Sequence, residues 1–498
     1  MWLQVLPKII TGLIFALIGF SPGSSGWSQT RPNIVLLMAD DMGWGETSYR
    51  QHPILRTPNL DAMAAAGLRL DRFYAGAPNC SPTRSTVMTG RSNDRVGVYN
   101  HGYALHRQEK TIAQGLKGAG YITAHFGKWH LNGYSGVGAP ILATDDHKPS
   151  DFGFDQWLSV TNFFDRNPLM SRQGKFEEFQ GDSSEIIVDE ACKFLDSNRS
   201  SGRPMLAVVW FGSPHSPFVA TQADKASFTS LDAQSQEHYG ELVALDRSIG
   251  ALRRRLREME IADNTLLMFC SDNGGLPEVT PGTVGGLRGF KNTLYEGGLR
   301  VPAIIEWPAV IKQPRVSNFP AGTIDIFPTV AEIVGLSDKA FVQPIDGISI
   351  LALLTAEVAQ RDKPLPFRHQ GRAALVDNDY KIICLDLKKD VYELYNLRSD
   401  PQESQNIASQ QPAILQRLRD QLLAWNQSVE NSVAGKDYVE GRVRDGEPGT
   451  RRWNDAPEYQ PFLAELYQRP EYRPVPAGGA KKNLNLKNSN AKKKSKSS

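Results

Sequence analysis

Three stretches of the chain share one design, a run of apolar residues that stops abruptly at polar ones: NIVLLMADD (33–41), MLAVVWFGSPH (205–215) and TLLMFCSDNGG (265–275). Unbroken apolar runs of this length fit strands buried on both faces of a sheet; a strand with one wet face would alternate. Segments with helix punctuation lie between them. TPNLDAMAAAGLRL offers Thr57 as a cap, Pro58 at the first helical position and Gly67 as a stop, and SPTRSTVMTGR repeats the device with Ser81, Pro82 and Gly90. Strands alternating with helices predict an α/β fold with a large central mixed, mostly parallel sheet flanked by helices. Ligands of such sheets bind beyond the carboxyl ends of the strands, and Asp40, Asp41, His215, Asp272 and Asn273 fall there.

The pattern changes after about residue 365. RAALVDNDYKIICL and DVYELYNLRSDPQE read as short antiparallel strands with turns, and PAILQRLRDQLLAW carries Ile414, Leu418, Leu422 and Trp425 on one helical stripe. The expected organisation is a catalytic domain over 31–365, a smaller C-terminal subdomain of antiparallel strands and a helix over 366–430, and an irregular extension over 431–480. The last 18 residues, 481–498, hold seven Lys and no acid, so the formal net charge of +2 hides a mildly acidic body. Such a tail buries too little apolar surface to fold and is expected to be disordered, a solvated end first and a ligand for acidic surfaces second. At the other end one Lys precedes the apolar run Ile9–Phe20, followed by Gly and Ser. That run is shorter than the roughly 20 residues a bilayer span needs. It fits a signal peptide over 1–28, with export to the periplasm or the extracellular space and no stable membrane span. Nothing in the charge pattern suggests a nucleic-acid partner.

Candidate chemistry sits at the strand ends. Adjacent Asp40 and Asp41, with Asp272 and Asn273, supply oxygen ligands suited to calcium or magnesium rather than zinc. Neighbouring strand residues point to opposite faces, so both Asp can serve one ion only where the chain turns. In YITAHFGKWHLNG, Lys128 and His130 are two apart and share a side if the chain is extended, a cation and an imidazole suited to an anionic substrate. SPHSPF sets His215 between prolines, and GFKNTLYEGGLRVP offers Lys291 beside Gly297 and Gly298. Cys80 precedes a helix with Arg84 in its first turn, so the helix N-terminus and the guanidinium favour an anion there, and a plain thiol would be activated as thiolate. The four cysteines, Cys80, Cys192, Cys270 and Cys384, form no CxxC pair and show no zinc spacing; with Cys80 reserved for chemistry, at most one disulfide can form.

Together these stretches resemble the type I, formylglycine-dependent sulfatases of the alkaline-phosphatase-like superfamily. CSPTR matches the CxPxR signature and GYITAHFGKWHL the second signature. ADDMGWG, SPHSPF, SDNGG and KNTLYEGG match further blocks in the family's order, from about residue 31 to about 410. The resemblance implies that a maturation enzyme converts Cys80 to formylglycine. One hydroxyl of the hydrated aldehyde would attack the sulfur of a sulfate ester; the second would then be deprotonated, expelling sulfate and restoring the aldehyde. Carried over by position, Asp40, Asp41, Asp272 and Asn273 would bind calcium together with the modified Cys80. Arg84 would hold the hydrated aldehyde, Lys128 and Lys291 would bind sulfate and leaving-group oxygens, His130 would assist release of sulfate, and His215 would protonate the leaving alcohol. Thr83 stands where the family often has serine. The implied substrate is a sulfated carbohydrate or an aryl sulfate. A phosphodiester or phosphonate monoester hydrolase of the same superfamily is the nearest alternative, since the same cradle holds a tetrahedral phosphoryl group. A non-catalytic binding protein retaining the fold is the other.

Overall fold

The structure, a computed structural model, describes residues 31–473. The signal-peptide segment and the basic tail of the sequence reading lie outside the described residues. No helix among those described is long and apolar enough to cross a membrane.

Ten strands form the central sheet: β1 (Asn33–Ala39), β2 (Leu68–Leu70), β3 (Ile122–Lys128), β4 (Gln156–Val160), β5 (Leu169–Arg172), β6 (Lys175–Glu178), β7 (Met205–Trp210), β8 (Thr265–Ser271), β9 (Ala303–Glu306) and β10 (Arg315–Ser317). Their order is β10-β2-β9-β8-β1-β7-β3-β4-β5-β6. The middle five, β8-β1-β7-β3-β4, are all parallel, with Met38 level with Cys270 on one side and Trp210 on the other. Antiparallel pairings enter outside that block, at β8–β9, β9–β2, β4–β5 and β5–β6.

The three apolar runs are continuous because both sheet faces are covered. Alternate residues of β1 enter separate cores: Ile34, Leu36 and Met38 pack on one side with Val87, Met88 and Phe327, while Val35, Leu37 and Ala39 pack on the other with Ile187, Leu242 and Leu245. The helices over the second face include α3 (Ser183–Asn198) and α4 (Ala233–Glu258). Between β1 and β3 in the chain come α1 (Pro58–Ala66), with Thr57 before it and Gly67 after, and α2 (Cys80–Thr89). All ten residues of α2 are buried. Its start differs from expectation: Asn79 occupies the cap position, Cys80 is already helical, and Gly90 closes the helix at φ 70°. The Ser81 hydroxyl instead accepts a hydrogen bond from the Gly102 amide at 2.8 Å, so it serves a neighbouring loop rather than its own helix.

A four-stranded antiparallel sheet follows over Leu365–His369, Arg372–Asp377, Tyr380–Asp386 and Val391–Asn396. Helix α5 (Pro412–Val433) packs on it through Leu418 and Leu422. Residues 434–473 show little periodicity, yet Trp453, Tyr459, Leu466 and Tyr472 are buried in a core shared with Tyr134, Ala139 and Leu142. Arg451–Arg452 also pairs in parallel with Tyr134–Ser135. The extension thus wraps back onto the loop that follows β3.

Candidate active site

Three parallel strands end at one level and deliver their polar residues to one place. The Asp40 amide donates to Ser213 O and the Asp272 amide to Ala39 O, so the chains leaving β1, β7 and β8 stay in register past the sheet. Asp41 then adopts φ 70°, the turn that lets two adjacent carboxylates face one centre. Opposite, α2 points its N-terminus at the same spot. The Asn292 amide donates to Pro78 O and the Lys291 amide to Gly275 O, tying the Lys291 loop to both the Cys80 loop and the end of β8. The glycines permit that approach: a Cβ on Gly274 would stand 1.9 Å from Gly297 O.

Cys80 Sγ lies 3.5 Å from Asp40 Oδ1 and 4.0 Å from Asp41 Oδ1. Lys128 Nζ donates to Asp40 Oδ2 at 2.6 Å, and Lys291 Nζ donates to both oxygens of Asp41 at 2.5 and 2.7 Å. Arg84 Nη2 donates to Asp272 Oδ2 at 2.6 Å and Nη1 to Lys128 O at 3.2 Å, with its guanidinium 5.1 Å from the Trp210 ring centroid. Asp272 Oδ1 accepts from the Asp41 amide at 3.1 Å, and Asn273 Nδ2 donates to Asp41 Oδ1 at 2.7 Å. His215 Nε2 is 3.8 Å from Asp41 Oδ2, its Nδ1 is 2.6 Å from Ser216 O, and its ring stacks on Phe163 at 4.5 Å. His130 is buried, and neither ring nitrogen has a hydrogen-bond partner. Asp40, Asp41, Cys80, Arg84, Lys128, His215, Asp272, Asn273 and Lys291 therefore form one connected cluster, with His130 in its electrostatic field.

Two local expectations change. Lys128 and His130 do not sit on one side of an extended strand: β3 ends at Lys128 and His130 has φ 56°. The turn brings the imidazole within the field of Lys128, Arg84 and His215. Just before it, Gly127 has φ 99° and its missing Cβ would fall 2.0 Å from Trp210 O, a place for glycine alone. The second change concerns the thiol. Burial pushes Cys80 up to about 12, and Asp272 and Asp40 add to that against Lys128 and Lys291. The unmodified side chain is a neutral thiol here, so the expected thiolate does not form; desolvation and two acids outweigh the helix terminus.

Electrostatics divide the acids. Burial raises Asp272 to about 6, helped by Asp40 beside it. Burial also opposes ionisation of Asp41, but Lys291 and His215 reverse it and hold that carboxyl below its ordinary range. Lys291 is in turn lifted above its ordinary value by Asp41, against the pull of burial. Burial lowers His215 and His130 first; neighbouring cations lower both further, against the opposing pull of Asp41 on His215, so both rings are neutral.

The residues present fit a divalent cation. Asp40, Asp41, Cys80 and His215 bring one ligand atom each within 4.8 Å of one another. Asn273 Oδ1 is buried with no hydrogen-bond partner, an acceptor aimed at nothing in the chain itself. Crowded acids and an orphaned amide oxygen are what a hard cation would relieve. Asp272 stands slightly apart, its carboxylate turned to Arg84 and the Asp41 amide.

Sequence reasoning missed the supports. Trp210 beneath Arg84 and Phe163 against His215 carry no motif; an aromatic as the last residue of a buried strand was the one available signal for Trp210. His101, which feels Lys291, Lys128 and Asp41, lies in a loop without pattern.

The sulfatase family model matches residues 32–336, and a second, for the C-terminal part of N-sulphoglucosamine sulphohydrolase, matches 288–428. The chain is 32% identical over 385 residues to N-acetylgalactosamine-6-sulfatase of Sus scrofa, covering 70% of this chain and 71% of that protein. It is 31% identical over 386 residues to arylsulfatase G of Rattus norvegicus, covering 66% and 70%. The crystal structure of Ps i-CgsB in complex with k-i-k-neocarrahexaose has the same fold, with a TM-score of 0.71 at 24% identity, covering 80% of this chain and 93% of that one. The chain belongs to the sulfatase family, and its activity is hydrolysis of sulfuric esters.

Proposed function

We propose that the protein removes sulfate from carbohydrates, using formylglycine made from Cys80 and one calcium ion. The observation that supports this most is the meeting of three cations, Arg84, Lys128 and Lys291, with Asp40, Asp41 and Asp272 around Cys80 at the buried start of α2. Asp40, Asp41, Asp272 and Asn273, with the modified Cys80, are the residues that would hold calcium. The two groups would supply a hydrated aldehyde as nucleophile and a fixed positive charge beside the sulfate.

The remaining work falls to the chain's own side chains. Lys128 and Lys291 bind the sulfate oxygens, and Lys291 also meets the leaving oxygen; both are preorganised by the carboxylates they now pair with. Arg84, over the Trp210 ring, orients the side chain at position 80. His215 protonates the departing alcohol. An anion seated among the cations offsets Lys291 and Lys128, which help to keep that imidazole neutral. His130, with both nitrogens free of protein partners, takes the proton whose loss lets sulfate depart.

The pig relative's name, N-acetylgalactosamine-6-sulfatase, supports a sulfated amino sugar as the substrate class. Residues 31–365 form the catalytic domain and 366–430 its C-terminal subdomain. The apolar run Ile9–Phe20 supports export, where the maturation enzyme would meet Cys80. The experiment is the mass of the peptide containing Cys80, expected to be about 18 Da lighter than the thiol form, combined with sulfate release from 4-nitrophenyl sulfate and from sulfated N-acetylgalactosamine. An active protein with wholly unmodified Cys80 overturns the mechanism. Faster turnover of an aryl phosphodiester than of the sulfate overturns the assigned chemistry.

A further inference from the structure

Beside the catalytic centre is a cavity of about 630 Å3 that the catalytic residues do not use. One wall comes from the chain just after His130, including Asn132, Tyr134, Asp145 and Asp146; the other comes from the C-terminal extension, including Thr450 and Glu458. That second wall lies beyond residue 428, where the family matches end. The walls are joined by backbone: the Arg451 amide donates to Gly133 O at 3.1 Å, and Arg451–Arg452 pairs with Tyr134–Ser135. One loop spans the catalytic centre and the cavity: the Gly102 amide donates to the hydroxyl of Ser81, next to Cys80, at 2.8 Å. His101, exposed and within the field of Lys291 and Lys128, is followed by Gly102, where a Cβ would stand 2.6 Å from Thr450 Oγ1 and 3.1 Å from Tyr134 O.

The lining is built to accept and donate hydrogen bonds but not to receive an anion. Asn132 is 3% exposed; its Nδ2 donates to Asp145 Oδ2 at 2.7 Å, while its Oδ1 has no partner. A buried amide oxygen left open on a cavity wall is costly unless something binds there. Asp145 also accepts from the His147 amide at 2.9 Å, and Asp146 takes Arg107 at 2.9 Å and His147 at 2.7 Å. Each carboxylate keeps acceptor directions for hydroxyl groups. Among the described lining residues Arg451 is the one cation, and it is already held by Glu458 at 2.6 Å and donates to Tyr134 Oη at 3.1 Å. A sulfate or uronate placed here would meet three carboxylates and no free cation.

We propose that this cavity is a subsite for the sugar next to the sulfated one, and that it selects an uncharged, hydroxyl-rich ring over a uronate or a second sulfated sugar. The inference rests on the carbohydrate sulfatase reading above and adds to it which neighbour the substrate carries. A volume of this order is that of ordinary small-molecule sites, with room for a pyranose ring. The C-terminal extension, by closing one wall, makes the choice of neighbour a property of this chain rather than of the shared catalytic domain.

The test measures kcat/KM of the matured full-length protein on three probes: 4-nitrophenyl sulfate, 6-sulfated N-acetylgalactosamine linked to galactose, and the same sulfated sugar linked to glucuronate. The galactose disaccharide is expected to exceed the glucuronate one by about tenfold or more, the size of effect expected from one unpaired charge. Thr450→Trp, which fills the cavity, is expected to lower the ratio of galactose disaccharide to aryl sulfate by about tenfold. Glu458→Gln, which frees Arg451, is expected to narrow the gap between the two disaccharides. Aryl sulfate turnover reports the folded centre in each variant, so the ratios separate loss of the subsite from loss of the fold. The subsite is overturned if aryl sulfate is hydrolysed but the galactose neighbour brings no gain over glucuronate, or if Thr450→Trp leaves the ratio unchanged. If no probe releases sulfate, the carbohydrate sulfatase reading itself falls and takes the subsite with it.

Discussion

Two clusters of buried charge in this molecule are built to different standards. Lys381 lies between Glu296 and Glu403 at 3.0 and 2.9 Å, with all three side chains fully buried. Its acids find most of their partners inside the chain: Tyr74 Oη donates to Glu296 Oε2 at 3.1 Å and the Glu296 amide to Glu403 Oε2 at 2.6 Å, while Glu403 Oε1 has its ion pair with Lys381 alone. The cluster around Cys80 has twice as many charges and leaves Asn273 Oδ1, Arg84 Nε and both nitrogens of His130 without partners. Both clusters crowd one acid against another: burial and a neighbouring carboxylate lift Asp272 to about 6 and Glu403 to about 7. The more nearly closed cluster holds the C-terminal sheet to the main body; the one with more open valences binds something from outside.

The comparison can be broken most decisively at Cys80. Cys80→Ser is expected to lower sulfate release by about 10⁴-fold or more, the scale at which an essential nucleophile is lost. Its thermal melt should stay near that of the wild type, because serine is small and neutral at a position that holds a small neutral side chain whether or not Cys80 is converted. A variant retaining more than a few per cent of activity would place the nucleophile elsewhere. In the closed cluster the effect should reverse, with stability lost and chemistry spared. Lys381→Met strands two buried carboxylates and is expected to cost about 3–5 kcal/mol in urea unfolding; a cost below about 1 kcal/mol would mean that the pairing is incidental.

A divalent ion should close the open cluster. Calcium at a hundredfold excess over its dissociation constant is expected to stabilise the protein by about 2.7 kcal/mol, reversed by a chelator and absent in Asp40→Asn. An equal calcium response in that variant would move the ion away from Asp40. The smallest effect belongs to solvated charge. Lys117 meets Asp155 at 2.7 Å with half of its side chain exposed, and Lys117→Ala is expected to cost less than about 1 kcal/mol. A larger loss would show that exposure is a poor guide to which ion pairs matter here.

Much of the catalytic centre was legible because it rests on local signals. Strand runs that stop at Asp40 and Asp272, and a helix whose start at Cys80 lies one or two residues ahead of the expected one, position chemistry within a few residues of a predictable element end. His130 was legible as a residue but not as a geometry, since its left-handed turn depends on Gly127 passing against Trp210 O. The state of the Cys80 thiol was misjudged from sequence because burial is set by the whole fold: the helix terminus favours an anion, yet complete enclosure beside two acids wins. Residues 446–458 gave no signal at all, since their partners, 132–146, lie some three hundred positions earlier.

What the sequence determined by itself was the α/β layering, the strand ends where chemistry collects, and the set of side chains gathered there. Those follow from hydrophobic period and turn chemistry, which act over a few residues. Only the tertiary structure decided which polar atoms remain unpaired, which acids repel one another, and how an aperiodic C-terminal segment closes a cavity beside the active site. Each of these depends on contacts between residues far apart in the chain, and no local pattern encodes a distance of that kind.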